Sequence, residues 1–132
     1  METRFPSLTR HELSIMETLW AFPCLDYHEI IQRAAEQGEC IPEGSVHRAL
    51  RRLLDYDFIV ISGEKSAAST RIKKFSPAIT IDEYICAVLD ENPILEEKHL
   101  PGVIVFLYRK IRSRETRAEL LAIIQNEKER LQ

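Results

Sequence analysis

The chain has 132 residues, 45% hydrophobic and 30% charged, with 18 Lys and Arg against 21 Asp and Glu for a net charge of −3. That composition fits one globular domain, or one small domain with an appendage. No apolar run exceeds six residues, far below the ~20 that a membrane-crossing helix needs. The N-terminus lacks an apolar stretch of signal-peptide type, so the expected location is the cytoplasm.

Cys24, Cys40 and Cys86 are odd in number and far apart, and His11, His28, His47 and His99 are equally scattered. No pair has the spacing of a zinc, copper or cluster site. The chain has no Gly-rich phosphate loop and none of the common catalytic motifs. The expectation is three buried free thiols, no metal, no cofactor and no enzyme.

In chain order, Thr9-Arg10-His11-Glu12 reads as a capping box that opens a first helix. Leu13, Met16, Leu19 and Trp20 recur behind it at helical spacing, and Pro23 stops the run. Asp26-Tyr27-His28-Glu29 repeats the start signal. Ile30, Ile31, Ala34 and Ala35 form the stripe, and Gly38 supplies a stop. Pro42 opens a third helix at its first position, running to about Asp55. At about 100° per residue, Val46, Ala49, Leu50, Leu53 and Leu54 fall on one arc of it. Gly44, Ser45, His47, Arg48, Arg51, Arg52 and Asp55 fall on the other.

The period then changes. Phe58 to Ile61 is a β-branched strand, Ser62 to Thr70 is turn-rich, and Arg71 to Phe75 returns as a second strand. Three helices and a two-stranded hairpin are the order of a winged helix-turn-helix. Seven basic residues against three acidic lie between Ser45 and Lys74, so the acidic surplus lies elsewhere. A helix buried on one side and arginine-rich on the other suits a DNA major groove. Ser45, His47 and Arg48 are the candidates for base edges. Arg51 and Arg52, with Lys65, Arg71 and Lys73 of the wing, are the candidates for phosphate.

Beyond Pro77, Thr80-Ile81-Asp82-Glu83 is a third capping box. Ile81, Tyr84, Ile85, Val88 and Leu89 share one face of its helix, and Asn92-Pro93 ends it. Leu100, Val103, Ile104, Leu107 and Ile111 mark another helix. Ser113 caps a last one, with Leu120, Leu121, Ile124 and Leu131 as its stripe. These helices cannot bury such stripes alone, so a second copy is the expected partner, with Leu107, Ile111, Leu120, Leu121 and Ile124 in the interface. The expected fold is mainly α with a small β-hairpin. It comprises a winged helix-turn-helix over residues 1–77 and helical dimerisation elements over 78–132.

Several segments carry a family likeness. They are Leu8 to Trp20, Ser45 to Leu53, Phe75-Ser76-Pro77 leading to Asp82-Glu83-Tyr84, and Ser113-Arg114-Glu115 followed by Leu120-Leu121. In this order and spacing the chain resembles the BlaI/MecI-type penicillinase repressors. The resemblance implies a homodimeric repressor whose winged domains bind a palindromic operator. Resistance members of that family are cleaved at an Asn-Phe bond, and copper-responsive members carry a C-terminal Cys-x-Cys pair. Neither occurs in this chain. Asp55-Tyr56-Asp57 stands where the family usually has Lys-Gly, which places two acids at the end of the third helix and removes the residue best suited to a left-handed turn. Pro42 to Leu50 is nearly as similar to the PadR-type regulators. Two alternatives stay open, a winged-helix protein-interaction module and a ligand-sensing regulator.

Overall fold

The computed structural model describes residues 7–67 and 70–132, with side chains described for all of these except 65–67, 70 and 71. The chain divides into two compact units, Met1–Glu91 and Asn92–Gln132.

In the first unit the elements run α1 (Arg10–Ala21), β1 (Leu25–Asp26), α2 (Tyr27–Glu36), α3 (Glu43–Asp55), β2 (Ile59–Ala67), β3 (Thr70–Pro77) and α4 (Ile81–Asp90). The capping boxes at Thr9/Glu12, Asp26/Glu29 and Thr80/Glu83 all form, each side chain bonding the other's backbone N–H. Pro42 is one position earlier than expected. It is the N-cap of α3, and its carbonyl accepts from the Val46 N–H at 3.1 Å.

Helices α2 and α3 end in the same way. Gly38, at φ 88°, donates to Ala35 while Glu39 donates to Ala34. Asp57, at φ 61°, donates to Leu54 while Phe58 donates to Leu53. Both are Schellman closures. The left-handed turn after α3 therefore forms without glycine. Asp tolerates this backbone better than most side-chain-bearing residues, and Phe58 and Leu53 are both buried beside it.

The sheet has three antiparallel strands, not the two of the expected hairpin, in the order β1-β3-β2. The strand missed in the sequence is Leu25–Asp26, which pairs with Phe75 and Lys74. Two residues are too short for a periodic signal, and Asp26 doubles as the cap of α2. Pairing of β2 with β3 continues out to Ala67↔Thr70, so most of the stretch read as turn is strand. A register shift between Ile61 and Gly63 leaves Ser62 as the extra residue, and Ser62 and Ser76 share a 2.6 Å hydroxyl contact.

The core joins Ile15, Met16 and Leu19 of α1 to Ile30 and Ala34 of α2, Val46, Ala49, Leu50 and Leu53 of α3, and Phe58, Ile59 and Phe75 of the strand region. Ile15 is fully buried, although the stripe read from the sequence passed over it. Helix α4 docks on α1 through Trp20, whose indole N–H donates to the Ile79 carbonyl at 2.9 Å and whose ring lies 5.7 Å from Tyr84. Tyr84 and Ala87 are thereby half-buried, and Ile81, Ile85, Val88 and Leu89 point outward.

The second unit contains a 3-10 turn (Glu97–His99), α5 (Leu100–Arg109) and α6 (Arg114–Leu131). Ser113 caps α6 by accepting from the Thr116 N–H at 3.2 Å. No residue of α4, α5 or α6 is buried. The expectation of buried thiols fails. Cys24, Cys40 and Cys86 are all exposed, because each lies on a loop or on an outward helix face. No helix among the described residues is long and apolar enough to cross a membrane.

Candidate nucleic-acid interface

Helix α3 has a nearly complete division of faces. Val46, Ala49, Leu50 and Leu53 are buried, while His47, Arg48 and Arg51 are exposed and Ser45 is half-buried. Its first turn is the part that a groove-bound helix would present to bases. There Arg48 donates to the Ser45 hydroxyl at 3.2 Å through an exposed contact, which holds the guanidinium beside the helix start. A Cβ at Gly44 would lie 3.9 Å from Arg48 Nη1, in ordinary van der Waals contact.

His47 is held from the side. Its ring stacks on Tyr27 at 4.2 Å with 14° between planes. Tyr27 in turn donates to the Glu43 carbonyl at 3.3 Å. Burial, and then Glu43, push the Tyr27 phenol above its ordinary pKa, so it stays a neutral donor. Tyr27 is a residue that sequence reasoning missed. It sits at the first position of α2, where the capping box drew attention to Asp26 and Glu29, and nothing in local spacing shows that α2 begins beside α3.

A groove of about 410 Å3 separates α3 from β3 and has an apolar floor, including Leu50, Leu54, Ile72 and Phe75. His47, Arg51 and Lys73 rim it. Lys73 is exposed on β3, opposite Glu64 in the strand register. The side chains of Lys65 and Arg71 lie outside the described residues. Their backbones pair with Ile72 and Ser66 along the hairpin. On the other side of α3 a smaller concavity brings Thr9 and His11 of α1 next to Ser45 and Arg48. His11, half-buried there, is a second neighbour of the helix start that the capping-box reading left out.

Arg52 is placed differently from its two companions. Its Nη1 lies 3.1 Å from Oε2 of Glu12, whose side chain is only 3% exposed. Its Nη2 donates to the Tyr56 hydroxyl at 3.4 Å, and the guanidinium lies 5.2 Å from the centre of that ring. The hydrogen bond to the Tyr56 hydroxyl, and then the charge of Glu12, raise the Arg52 pKa further. Glu12 uses Oε1 to accept from the Thr9 N–H at 2.8 Å. Arg52 therefore neutralises a buried carboxylate that also caps α1. A helical wheel places it on the polar arc, and only packing shows that this arc turns back toward α1. Lys74 similarly lies 4.0 Å from Glu29 of α2. The cations without an ion-pair partner among the described residues of α3 and β3 are Arg48, Arg51 and Lys73.

The expected interface residues of the C-terminal helices are accessible. Leu107, Leu121 and Ile124 are exposed, and Ile111 and Leu120 half-buried. Ile111 lies beyond the end of α5, where its carbonyl accepts from Arg117 Nε at 3.0 Å. Among the described residues no group of three or more His, Cys, Asp or Glu is placed to hold a metal ion.

No protein-family model matches the chain, and no curated protein does. Solved structures do. BpsR of Bordetella bronchiseptica, whose DNA binding is regulated by 6-hydroxynicotinic acid, is 16% identical over 81% of this chain and 83% of its own, with a TM-score of 0.47. ZitR of Lactococcus lactis, a zinc-responsive MarR family member, is 18% identical over 99% of this chain and 81% of its own, with a TM-score of 0.42. The same protein in complex with DNA gives 18%, 99%, 80% and 0.39. At these scores the assignment of architecture rests on the chain's own element order and strand register. Three helices, a short first strand and a paired β2–β3 ribbon, with α3 laid on the core ahead of the ribbon, make it a winged helix-turn-helix protein.

Proposed function

We propose that the protein is a homodimeric transcriptional repressor that binds duplex DNA through α3 and the β2–β3 wing. The observation that carries this reading is the division of α3. One face is closed into the core, while the other exposes His47, Arg48 and Arg51, with Ser45 half-buried at the helix start and no acidic partner for Arg48 or Arg51 among the described residues. Arg48 would read a base edge near the helix start. Two hydrogen bonds to one guanine are worth about 1–3 kcal/mol of discrimination. Arg51 and Lys73, across the groove from each other, would hold phosphate, with Lys65 and Arg71 further along the wing. Arg52, tied to Glu12, supports the helix instead.

The exposed apolar side chains of α4, α5 and α6 support a dimer. A two-fold pair of α3 helices would match a palindromic operator with half-sites about 10 base pairs apart or a multiple. The motif order of the penicillinase-repressor type supports the repressor assignment, and with it action in the cytoplasm. A second reading, a protein-interaction module, draws on Asp55 and Asp57 at the end of α3 and on the net charge of −3.

A salt titration of binding to selected and random duplexes separates the two, because displaced counterions make DNA binding steeply salt-dependent. Arg48→Ala should relax preference at one base pair of each half-site. Arg51→Ala should weaken both duplexes alike and lower the salt slope by about 1–2 in a dimer. If both variants bind the selected duplex as tightly as the parent, α3 is not the reading head and the second reading takes over.

A further inference from the structure

Charge in the C-terminal third is segregated. From Asp82 to Glu97 the chain carries six acidic residues and no basic one, and from Arg109 to Arg117 five basic and one acidic. The second stretch is denser in positive charge than α3 or the wing. It spans the turn between α5 and α6 and the first turn of α6, outside the elements proposed above to read DNA.

Each charged stretch borders an exposed apolar stripe. On α4, Ile81, Ile85, Val88 and Leu89 lie on one arc and are 36–51% exposed. Asp82 lies at the edge of that arc, and Cys86 and Asp90 continue from it as an i, i+4 row that turns progressively away from the stripe. On α6, Arg114 and Arg117 head the stripe of Leu120, Leu121, Ile124 and Leu131. Lys110 and Arg117 are engaged locally, over the Phe106 and Tyr108 rings. Arg109, Arg112 and Arg114 are exposed, as are Asp82 and Asp90. None of these five side chains has an ion-pair or hydrogen-bond partner among the described residues.

We propose that the acidic border of α4 in one copy clasps the basic α5–α6 turn of a second copy. The proposal rests on the homodimer reading and names its contact. A two-fold interface must be self-complementary, so that the patch one chain offers is met by the patch the other offers. A chain bearing one acidic-bordered and one basic-bordered apolar stripe meets that requirement twice, once in each direction. The apolar stripes supply the driving force. The charges contribute less to affinity than to register and partner choice, because exposed pairs are weak while like charges brought together are costly. Only a chain carrying both patterns in the same spacing would pair well, which would keep the protein from mixing with other winged-helix dimers.

The test is a charge swap on the full chain. One variant carries Arg112→Glu and Arg114→Glu, and the other Asp82→Lys and Asp90→Lys. Self-association is measured by sedimentation, and heterodimer formation by mixing differently tagged proteins. Each variant alone should associate about tenfold or more weakly than the parent, since both of its clasps become like-charged. An equal mixture should regain parental affinity, because both clasps are then restored. The neutral pairs Arg112→Gln/Arg114→Gln and Asp82→Asn/Asp90→Asn serve if a reversed variant loses its fold by circular dichroism, and should weaken association to a smaller degree. If mixing does not rescue but all four reversals in one chain do, the charges meet within a chain and the clasp is wrong. If the variants dimerise like the parent, the clasp is wrong and the dimer stands. A parent that stays monomeric overturns both.

Discussion

Truncating Arg52 tests whether α3 spends one of its three arginines on the fold. Glu12 is 2% exposed and sits against Arg52 at 3.1 Å. Removing one partner of a fully buried ion pair costs about 3–5 kcal/mol, mostly as the penalty on the charge left behind. Here the penalty is smaller on two counts. The Arg52 side chain is 43% exposed, so water already screens part of the attraction. Glu12 also keeps its bond from the Thr9 N–H. Arg52→Ala should therefore destabilise by about 2 kcal/mol, within the range for hydrogen bonds to charged groups. In a unit of this size that lowers Tm by roughly 8–16 °C.

The control is Arg51→Ala, one residue away and exposed, which should stay within about 0.5 kcal/mol of the parent. Glu12→Gln keeps an acceptor for the Thr9 N–H and removes the charge. In that background Arg52→Ala should cost less than about 1 kcal/mol. Denaturant unfolding of the four proteins of this cycle gives the coupling directly. Equal cost of Arg52→Ala in both backgrounds, or a cost below about 0.5 kcal/mol with Glu12 intact, would refute the assignment and return Arg52 to the phosphate-binding set.

Leu121→Asp, on the exposed stripe of α6, should convert the dimer to monomer without unfolding the first unit. A parent that sediments as a monomer at about tens of micromolar, or a dimeric Leu121→Asp, contradicts the proposed interface. Asp57→Gly relieves a left-handed backbone held by a residue with a Cβ. It should stabilise by about 0.5–1 kcal/mol after the greater chain entropy of glycine is set against the relief, and a loss of stability would mean that the Asp57 side chain is needed at that turn. Replacing Cys24, Cys40 and Cys86 together with Ser should shift stability by no more than about 0.5 kcal/mol at each site, because all three are exposed. A larger loss in chemical denaturation would show a packing role.

Local signals in the sequence determined the start of four of the six α-helices among the described residues, α1, α2, α4 and α6. Thr9, Asp26, Thr80 and Ser113 cap their helices through side chains three residues from their backbone targets, so the geometry is settled within one turn. The buried face of α3 was equally legible, because Val46, Ala49, Leu50 and Leu53 repeat at the helical period and only one side of such a helix can be closed. What periodicity cannot carry is which element lies across from a polar face. Arg48, Arg51 and Arg52 share an arc in sequence, yet Arg52 is drawn to Glu12, forty residues earlier, by the crossing of α1 and α3. The same holds for Tyr27 on His47 and for the two-residue strand Leu25–Asp26, whose partner is β3. These contacts depend on the free energy of bringing distant segments together. Only the tertiary structure decided them.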